Sequence, residues 1–172
     1  DKWKAPYFAH FDALTALPNQ LMFYNQVHQL ISLSKRNNLP LSLMVVNIDR
    51  FRELNQTLGH TSGDELLRQI ALRLQTSLRP GDAFVRTSDF GQMAARIGGD
   101  EFVVVLDDIR GDLDAEVVAG RLLDVLAAPY QISDHTVNSS VSIGIVTATH
   151  AVDDVESVLR DADIAMYEAK RT

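Results

Sequence analysis

The chain has 172 residues, of which 46% are hydrophobic and 23% charged, a composition typical of one globular domain with its own core. Its formal net charge of −7 argues against a general nucleic-acid-binding surface, and the absence of cysteine excludes disulfides and thiolate chemistry. The lack of cysteine agrees with the cytoplasmic domain that we expect. No apolar run approaches the roughly 20 residues of a membrane span, and the N-terminus lacks a signal-peptide pattern.

Apolar spacing predicts alternating helices and strands. They are a helix over 18–37, a strand over 41–48, helices over 51–58 and 62–78, a hairpin of strands 93–97 and 102–106, a helix over 114–128, a small hairpin over 130–132 and 135–137, a strand over 140–148 and a helix over 155–170. A hairpin between interior strands cannot belong to an all-parallel sheet. We therefore expect an α/β sandwich whose central, largely antiparallel sheet of about five strands is flanked by helices.

We expect residues 1–9 to be a lead-in segment and residues 10–172 to form a single domain excised from a longer protein. A membrane tether, if the full protein has one, would then lie in parts outside this chain.

The segment Arg96–Phe102 reads Arg-Ile-Gly-Gly-Asp-Glu-Phe and joins the two strands of the predicted hairpin. Gly98 and Gly99 can supply the positive φ that a tight turn needs, and their bare backbone lets a ligand approach closely. The adjacent carboxylates of Asp100 and Glu101 can bind Mg²⁺ and, through it, phosphates. Taken alone, the four residues are better explained by an ordinary solvated turn.

The end of the predicted strand 41–48 offers further oxygen ligands. In an antiparallel sheet this end can lie beside the hairpin turn, which would bring Asn47 and Asp49 to Asp100 and Glu101. Such a cluster suits a Mg²⁺–triphosphate, and polymerase-like palms use the same arrangement.

Several short segments, each weak alone, occur together in one order and spacing. On these segments the chain resembles the GGDEF family of diguanylate cyclases over nearly its whole length. The matching residues are 12–19, 47–52, Asn55, Gly59-His60, Gly63-Asp64, 96–102 and 162–170.

The resemblance implies a ferredoxin-like, nucleotidyl-cyclase palm-type fold and the condensation of two GTP molecules into cyclic di-GMP and pyrophosphate. It implies Mg²⁺ or Mn²⁺ as the cofactor and two domains that face each other, each holding one GTP. It further implies bacterial second-messenger signalling, an upstream sensory element and, in some members, a downstream EAL phosphodiesterase domain. Nucleic acid is not an expected partner.

The resemblance also assigns roles at the acidic turn. Asp100 would ligate the metal and help to deprotonate the attacking hydroxyl, with Glu101 completing the acidic turn. Gly98 and Gly99 would leave room for the phosphates, and the backbone carbonyl of Ile48 would be a further metal ligand.

Other positions would hold the nucleotide. By resemblance, Asn55 and Asp64 would bind the guanine edge, His60 would line the nucleoside pocket, and Arg52 and Lys170 would meet the phosphates. Most of these have a plainer explanation when taken singly: a polar residue on an exposed helix, an acidic residue at a helix start, a loop histidine, and a cation at a helix C-terminus.

This sequence departs from the family pattern at the metal site. Asn47 stands where the family has a metal-ligating aspartate, so an amide oxygen remains but one negative charge is lost and metal binding should weaken. Asp49, two residues on, is expected to serve the structure. Arg52 replaces the family lysine, which keeps the charge and changes the hydrogen-bond geometry.

Arg86 and Asp89 have the form of the Arg-x-x-Asp site at which cyclic di-GMP inhibits some relatives. Residues 90–97 separate this pair from the double glycine by more than the family's usual spacing. We therefore do not expect product inhibition at this pair.

The substitution at Asn47 leaves more than one function open. The intact Gly-Gly-Asp-Glu-Phe favours an active diguanylate cyclase, whereas Asn47 favours a non-catalytic GTP-binding regulatory module, of the kind fused to EAL phosphodiesterase domains. An interaction domain that binds no nucleotide is the third alternative.

Overall fold

A computed structural model describes residues 10–37, 41–78, 92–107 and 112–148, with residues 157 and 160 described singly. The elements agree with the predicted ones to within two residues at each end. They are α1 (Gln20–Asn37), β1 (Leu41–Ile48), α2 (Phe51–Leu58), α3 (His60–Leu78), β2 (Gln92–Arg96), β3 (Glu101–Asp107), α4 (Asp112–Ala127), β4 (Tyr130–Ile132), β5 (His135–Val137) and β6 (Val141–Ala148). The lead-in segment 1–9 and the helix predicted over 155–170 lie outside the described residues.

Among the described residues the main sheet has four strands in the order β2-β3-β1-β6, and every neighbouring pair is antiparallel. The short strands β4 and β5 pair with each other in a separate two-stranded ribbon and do not extend this sheet. The predicted antiparallel sheet flanked by helices is therefore confirmed, with four described strands where about five were expected.

Strand β1 lies inside the sheet and is apolar on both faces because helices cover both. Met44 and Val46 belong to the core that α3 and α4 share with the sheet. Leu43 and Val45 alternate with them and pack in the second core, which includes Phe23 of α1. This alternation explains why β1 has no polar stripe and why it can carry functional groups only at its end.

Two residues with positive φ turn the chain sharply after β1. Arg50 has φ 55° and ψ 35°, a conformation uncommon for a residue with a side chain, and it turns the chain from β1 directly into α2. Gly59, with φ 94°, separates α2 from α3. Four of the residues expected to bind nucleotide therefore lie on two consecutive helices that follow β1: Arg52, Asn55, His60 and Asp64.

Across the parts of the chain that the structure describes, no helix is both long and apolar enough to cross a membrane.

Candidate functional site

The backbone carbonyl of Asp100 joins the hairpin turn to the end of β1. It accepts a hydrogen bond from the backbone N–H of Ile48 at 3.2 Å and one from Nδ2 of Asn47 at 3.5 Å. In the strand register Asn47 lies opposite Glu101. The strand end and the acidic turn, which are distant in sequence, therefore meet at one edge of the sheet.

The turn itself is closed by the backbone. Ile97 and Gly98 donate their N–H groups to the carbonyl of Glu101 at 3.0 and 3.3 Å. The expectation that Gly98 and Gly99 supply positive φ is wrong, since Gly59 alone among the described glycines has it. A Cβ at Gly99 would meet nothing within 4 Å, whereas a Cβ at Gly98 would contact the Glu101 side chain at 3.5 Å, so open space lies at Gly99.

The side-chain oxygen atoms at this edge could ligate a cation that is also bound by a phosphate ligand. Asp100, Glu101 and Asn47 are all partly buried, and they offer two carboxylates and one amide oxygen. No group of three or more His, Cys, Asp or Glu side chains suited to a metal occurs in the described ranges. Mg²⁺ commonly takes one or two protein carboxylates and completes its shell with substrate phosphates and water.

Asp49 serves the structure, as expected. Its two carboxylate oxygens accept hydrogen bonds from the hydroxyls of Ser140 and Ser142, each at 2.7 Å, and its N–H donates to the Ser140 carbonyl at 2.9 Å. These bonds fasten the end of β1 to the start of β6. The carboxylate of Asp49 is therefore occupied in holding the strand ends together.

Asn55 on α2 carries a polar atom without a partner. Its side-chain oxygen is buried and has no hydrogen bond in the described structure. Gly63 on α3 makes space for it, because a Cβ built at Gly63 would collide with that oxygen. An unsatisfied buried polar atom is costly and needs an explanation, and a ligand that pairs with the amide supplies one.

The remaining nucleotide-site predictions in the described chain fall on exposed positions of the two consecutive helices. Arg52 is exposed on α2, and His60 and Asp64 are exposed near the start of α3. Because α3 begins at His60, Asp64 lies in its second turn and its first turn contains no acidic residue. The helix-start explanation of Asp64 is therefore wrong, and His60 is helical and does not lie in a loop.

Three predicted positions, Lys170 and the pair Arg86 and Asp89, lie outside the described residues. Their roles stay predictions.

A cavity of about 790 Å³ opens beside the connection from β1 to α2. Its volume is in the range of small-molecule sites. The described residues that line it are mostly polar: Asp49, Arg50, Leu54, Asn138, Ser139, Ser140 and Ser142.

Sequence reasoning missed the role of Arg96, which precedes the turn. Its guanidinium binds the carbonyls of Gly98 and Gly99 and also the carboxylate of Asp12, a residue assigned no role at the site. Burial raises the pKa of Asp12, but hydrogen bonds from Thr15 and the charge and hydrogen bond of Arg96 outweigh it, so that the pKa lies below its ordinary value. The sequence feature that could have indicated this role is the position of Arg96 directly before the turn.

Comparisons with known proteins agree with this architecture. A family model described as "Diguanylate cyclase, GGDEF domain" matches residues 9–172. Diguanylate cyclase TpbB of Pseudomonas aeruginosa is 37% identical over 164 residues, which cover 95% of this chain and 35% of that protein. MucR of the same species, named a bifunctional diguanylate cyclase/cyclic di-GMP phosphodiesterase, is 34% identical over 159 residues, covering 92% of this chain and 22% of MucR.

Among solved structures, the isolated GGDEF domain of TpbB superposes with a TM-score of 0.84 and 36% identity, covering 94% of this chain and 89% of that one. The chain thus spans about a third (35%) of the full TpbB protein and nearly all of its GGDEF domain. The chain belongs to the GGDEF domain family of diguanylate cyclases.

Proposed function

We propose that this domain condenses two GTP molecules into cyclic di-GMP and two pyrophosphates, with Mg²⁺ or Mn²⁺ bound at the acidic turn. The observation that carries the proposal is the Asp100 carbonyl, which accepts hydrogen bonds from Asn47 and Ile48 and so assembles the oxygen donors at one edge of the sheet. Family membership supplies the reaction type, and the strand-end geometry supports it in this chain.

In the proposed reaction the 3′-hydroxyl of each GTP attacks the α-phosphorus of the other. A new phosphodiester bond forms, and the bond from the α-phosphorus to its bridging oxygen breaks, so that pyrophosphate leaves with the electron pair. Asp100 would accept the hydroxyl proton and pass it to solvent. Asp100, Glu101, Asn47 and the Ile48 carbonyl would hold the divalent cation, which when bound polarises the phosphate and stabilises the leaving group.

Selection of guanine would come from the amide of Asn55 and the carboxylate of Asp64. The buried oxygen of Asn55 has no protein partner, so pairing with an exocyclic amine of the base would satisfy it. A base that lacks the matching donors would leave these polar groups unpaired, which is the usual origin of strong discrimination. His60 would lie beside the nucleoside.

The phosphates need local positive charge because the chain as a whole carries −7. Arg52, exposed on α2, would supply part of it, and Lys170 the remainder. The open space at Gly99, and the lack of a side chain at Gly98, would let the phosphates approach the backbone of the turn.

The chemistry requires a second copy, since one domain would hold only one GTP. We therefore propose a homodimer of facing sites that is weak for the isolated domain, and regulation by an upstream sensory element that brings the copies together. A downstream EAL phosphodiesterase domain is consistent with the similarity to MucR, whose name records both activities.

A GTP-binding module without turnover is the second candidate function. It is favoured by Asn47, which lacks the charge of a carboxylate and directs its amide N–H to the Asp100 carbonyl. Bound GTP would then regulate a neighbouring domain.

The test is to incubate the concentrated or artificially dimerised chain with GTP and Mg²⁺ and to separate the products by chromatography. Cyclic di-GMP that disappears in Asp100→Ala supports the cyclase. Bound but unconverted GTP supports the regulatory module, and a flat GTP titration contradicts both.

A further inference from the structure

Arg96, the last residue of β2, binds the turn that follows it. Its Nε donates to the carbonyls of Gly98 and Gly99 at 3.1 and 3.3 Å, and its Nη2 donates to the Gly99 carbonyl at 2.8 Å. All of these hydrogen bonds therefore end on the two residues that directly precede Asp100.

The same guanidinium binds a distant carboxylate. Nη1 of Arg96 lies 3.1 Å from both oxygens of Asp12, and the two side chains are only 16% and 22% exposed. Asp12 is itself held, because its Oδ2 accepts hydrogen bonds from the N–H and the hydroxyl of Thr15 at 2.9 and 2.8 Å. The acceptor that orients Arg96 is therefore fixed by its own loop.

That loop is closed and also fastened to β2. Asp12 donates its N–H to the Leu17 carbonyl at 2.7 Å, and the Asp12 carbonyl accepts from the N–H of Ala16 at 2.8 Å. The backbone N–H of Arg96 donates to the Pro18 carbonyl at 3.0 Å, and β2 is the outermost of the described strands of the sheet. The loop formed by residues 12–18 thus holds Arg96 through both its backbone and its side chain.

We propose that Arg96 is a positioning residue: together with Asp12 it forms a brace that fixes the Gly98–Gly99 turn and so sets where Asp100 meets the metal–nucleotide. This inference rests on the proposed function. We define the Arg96 brace as the Arg96 guanidinium, the Asp12 carboxylate and the carbonyls of Gly98 and Gly99.

The geometry uses a property that only arginine has. The planar guanidinium directs its donors to two carbonyls and a carboxylate at the same time, whereas a lysine ammonium is a single point charge. Arg96→Lys therefore keeps the charge beside Asp12 and loses the bridge to the turn. Asp12→Asn keeps an acceptor oxygen and weakens the hold on the guanidinium.

Two measurements on the whole chain test the brace. Amide hydrogen exchange measures how readily the turn opens, because the N–H groups of Ile97 and Gly98 donate to the Glu101 carbonyl across it. Calorimetry with GTP and Mg²⁺ measures the affinity of the site for the nucleotide. For Arg96→Lys we expect the exchange rate of these two amides to rise about tenfold, and the Kd for Mg²⁺–GTP to rise by about the same factor. This is the factor expected for the loss of one charge-assisted hydrogen bond.

Arg73→Lys is the matched control. Arg73 also uses its guanidinium to bind backbone carbonyls, those of Val125, Ala128 and Pro129 at 2.7–2.9 Å, but it does so between α3 and the end of α4. Its replacement should lower Tm, and it should leave the exchange rate of the turn amides and the GTP affinity unchanged. A double variant of Arg96→Lys with Asp12→Asn should show less than the sum of the two effects, because both act on one network.

Faster exchange at the turn together with weaker Mg²⁺–GTP binding in the Arg96 and Asp12 variants supports the proposal. Unchanged exchange overturns it, and so does faster exchange with unchanged GTP affinity. If the unmodified chain binds no GTP, the proposed function fails, and the exchange data alone still decide whether Arg96 and Asp12 hold the turn.

Discussion

The side-chain amide of Asn47 lies 3.5 Å from the backbone carbonyl of Asp100 and donates a hydrogen bond to it. Asn47, which we propose as a metal ligand, therefore connects β1 to the turn through a neutral contact. A carboxylate there could not donate, and it would place a negatively charged oxygen beside the carbonyl oxygen unless a cation lay between them.

We expect Asn47→Asp to make the stability of the domain depend on metal. In EDTA the free energy of unfolding of the variant should be lower by roughly 1 kcal/mol, and its Tm lower by a few degrees, because the hydrogen bond to the Asp100 carbonyl is lost. With Mg²⁺ its Tm should rise more than that of the unmodified chain, and turnover should increase, because carboxylates dominate affinity for hard cations. Thermal unfolding in Mg²⁺ and in EDTA checks this, with Asn47→Ala as the control. Equal metal-induced shifts in Tm for the unmodified chain and for Asn47→Asp would contradict it.

Gly63→Ala should weaken GTP binding without touching the ligand directly. The added Cβ would collide with the side-chain oxygen of Asn55 and turn the amide away from the base. We expect the Kd for Mg²⁺–GTP to rise about tenfold, as for one lost hydrogen bond that leaves a polar group unpaired.

Gly120→Ala is the control for that prediction. Gly120 is exposed on α4, and a Cβ there meets nothing within 4 Å. This change should stabilise the domain by about 0.4–1 kcal/mol and leave GTP affinity unchanged. If Gly63→Ala binds GTP as tightly as Gly120→Ala, Asn55 does not bind the base.

We expect the Asp12 carboxylate to stabilise the domain at pH values above its pKa. Because its pKa is lowered in the folded state, its contribution is present above the unfolded pKa of about 3.9 and is lost as pH falls through the folded value. The Tm difference between the unmodified chain and Asp12→Asn should therefore be full at pH 7 and shrink below about pH 4. Thermal unfolding across this range measures it, and a difference that grows toward acid would contradict the assignment.

Replacing Asp49 by alanine should affect stability, whereas replacing Asp100 by alanine should affect Mg²⁺ binding. Asp49→Ala removes the acceptors of Ser140 and Ser142 and should cost about 1–3 kcal/mol of unfolding free energy, measured by urea denaturation. Its Mg²⁺ affinity should remain, whereas Asp100→Ala should lose Mg²⁺ affinity with little change in stability. Loss of metal binding in Asp49→Ala at unchanged stability would show that Asp49 is a ligand.

Much of this architecture could be predicted because it follows from local patterns. The apolar run of β1 and the hairpin around Gly98 indicate an antiparallel arrangement, and this arrangement brings Ile48 to Asp100. Helix starts are less well determined by pattern: α3 begins two residues before its predicted start, and for that reason the helix-start explanation of Asp64 is wrong.

Side-chain contacts between distant segments could not be predicted. Arg96 and Asp12 are 84 positions apart, and periodicity carries no information about which partner a guanidinium will choose. The contact between Asn55 and Gly63 likewise depends on how α2 turns into α3 at Gly59. Each of these contacts is a packing result of the assembled fold.

The most direct test of the site is paramagnetic broadening of amide NMR signals by Mn²⁺–GTP. If the end of β1 and the acidic turn hold one metal–nucleotide, the signals of Ile48, Asp100 and Glu101 will vanish first, and those of Tyr130 and Gln131 in β4 will persist. Broadening that spares Ile48 and Asp100, or that requires no GTP and spreads evenly over the exposed acidic residues, would contradict a shared metal–nucleotide site.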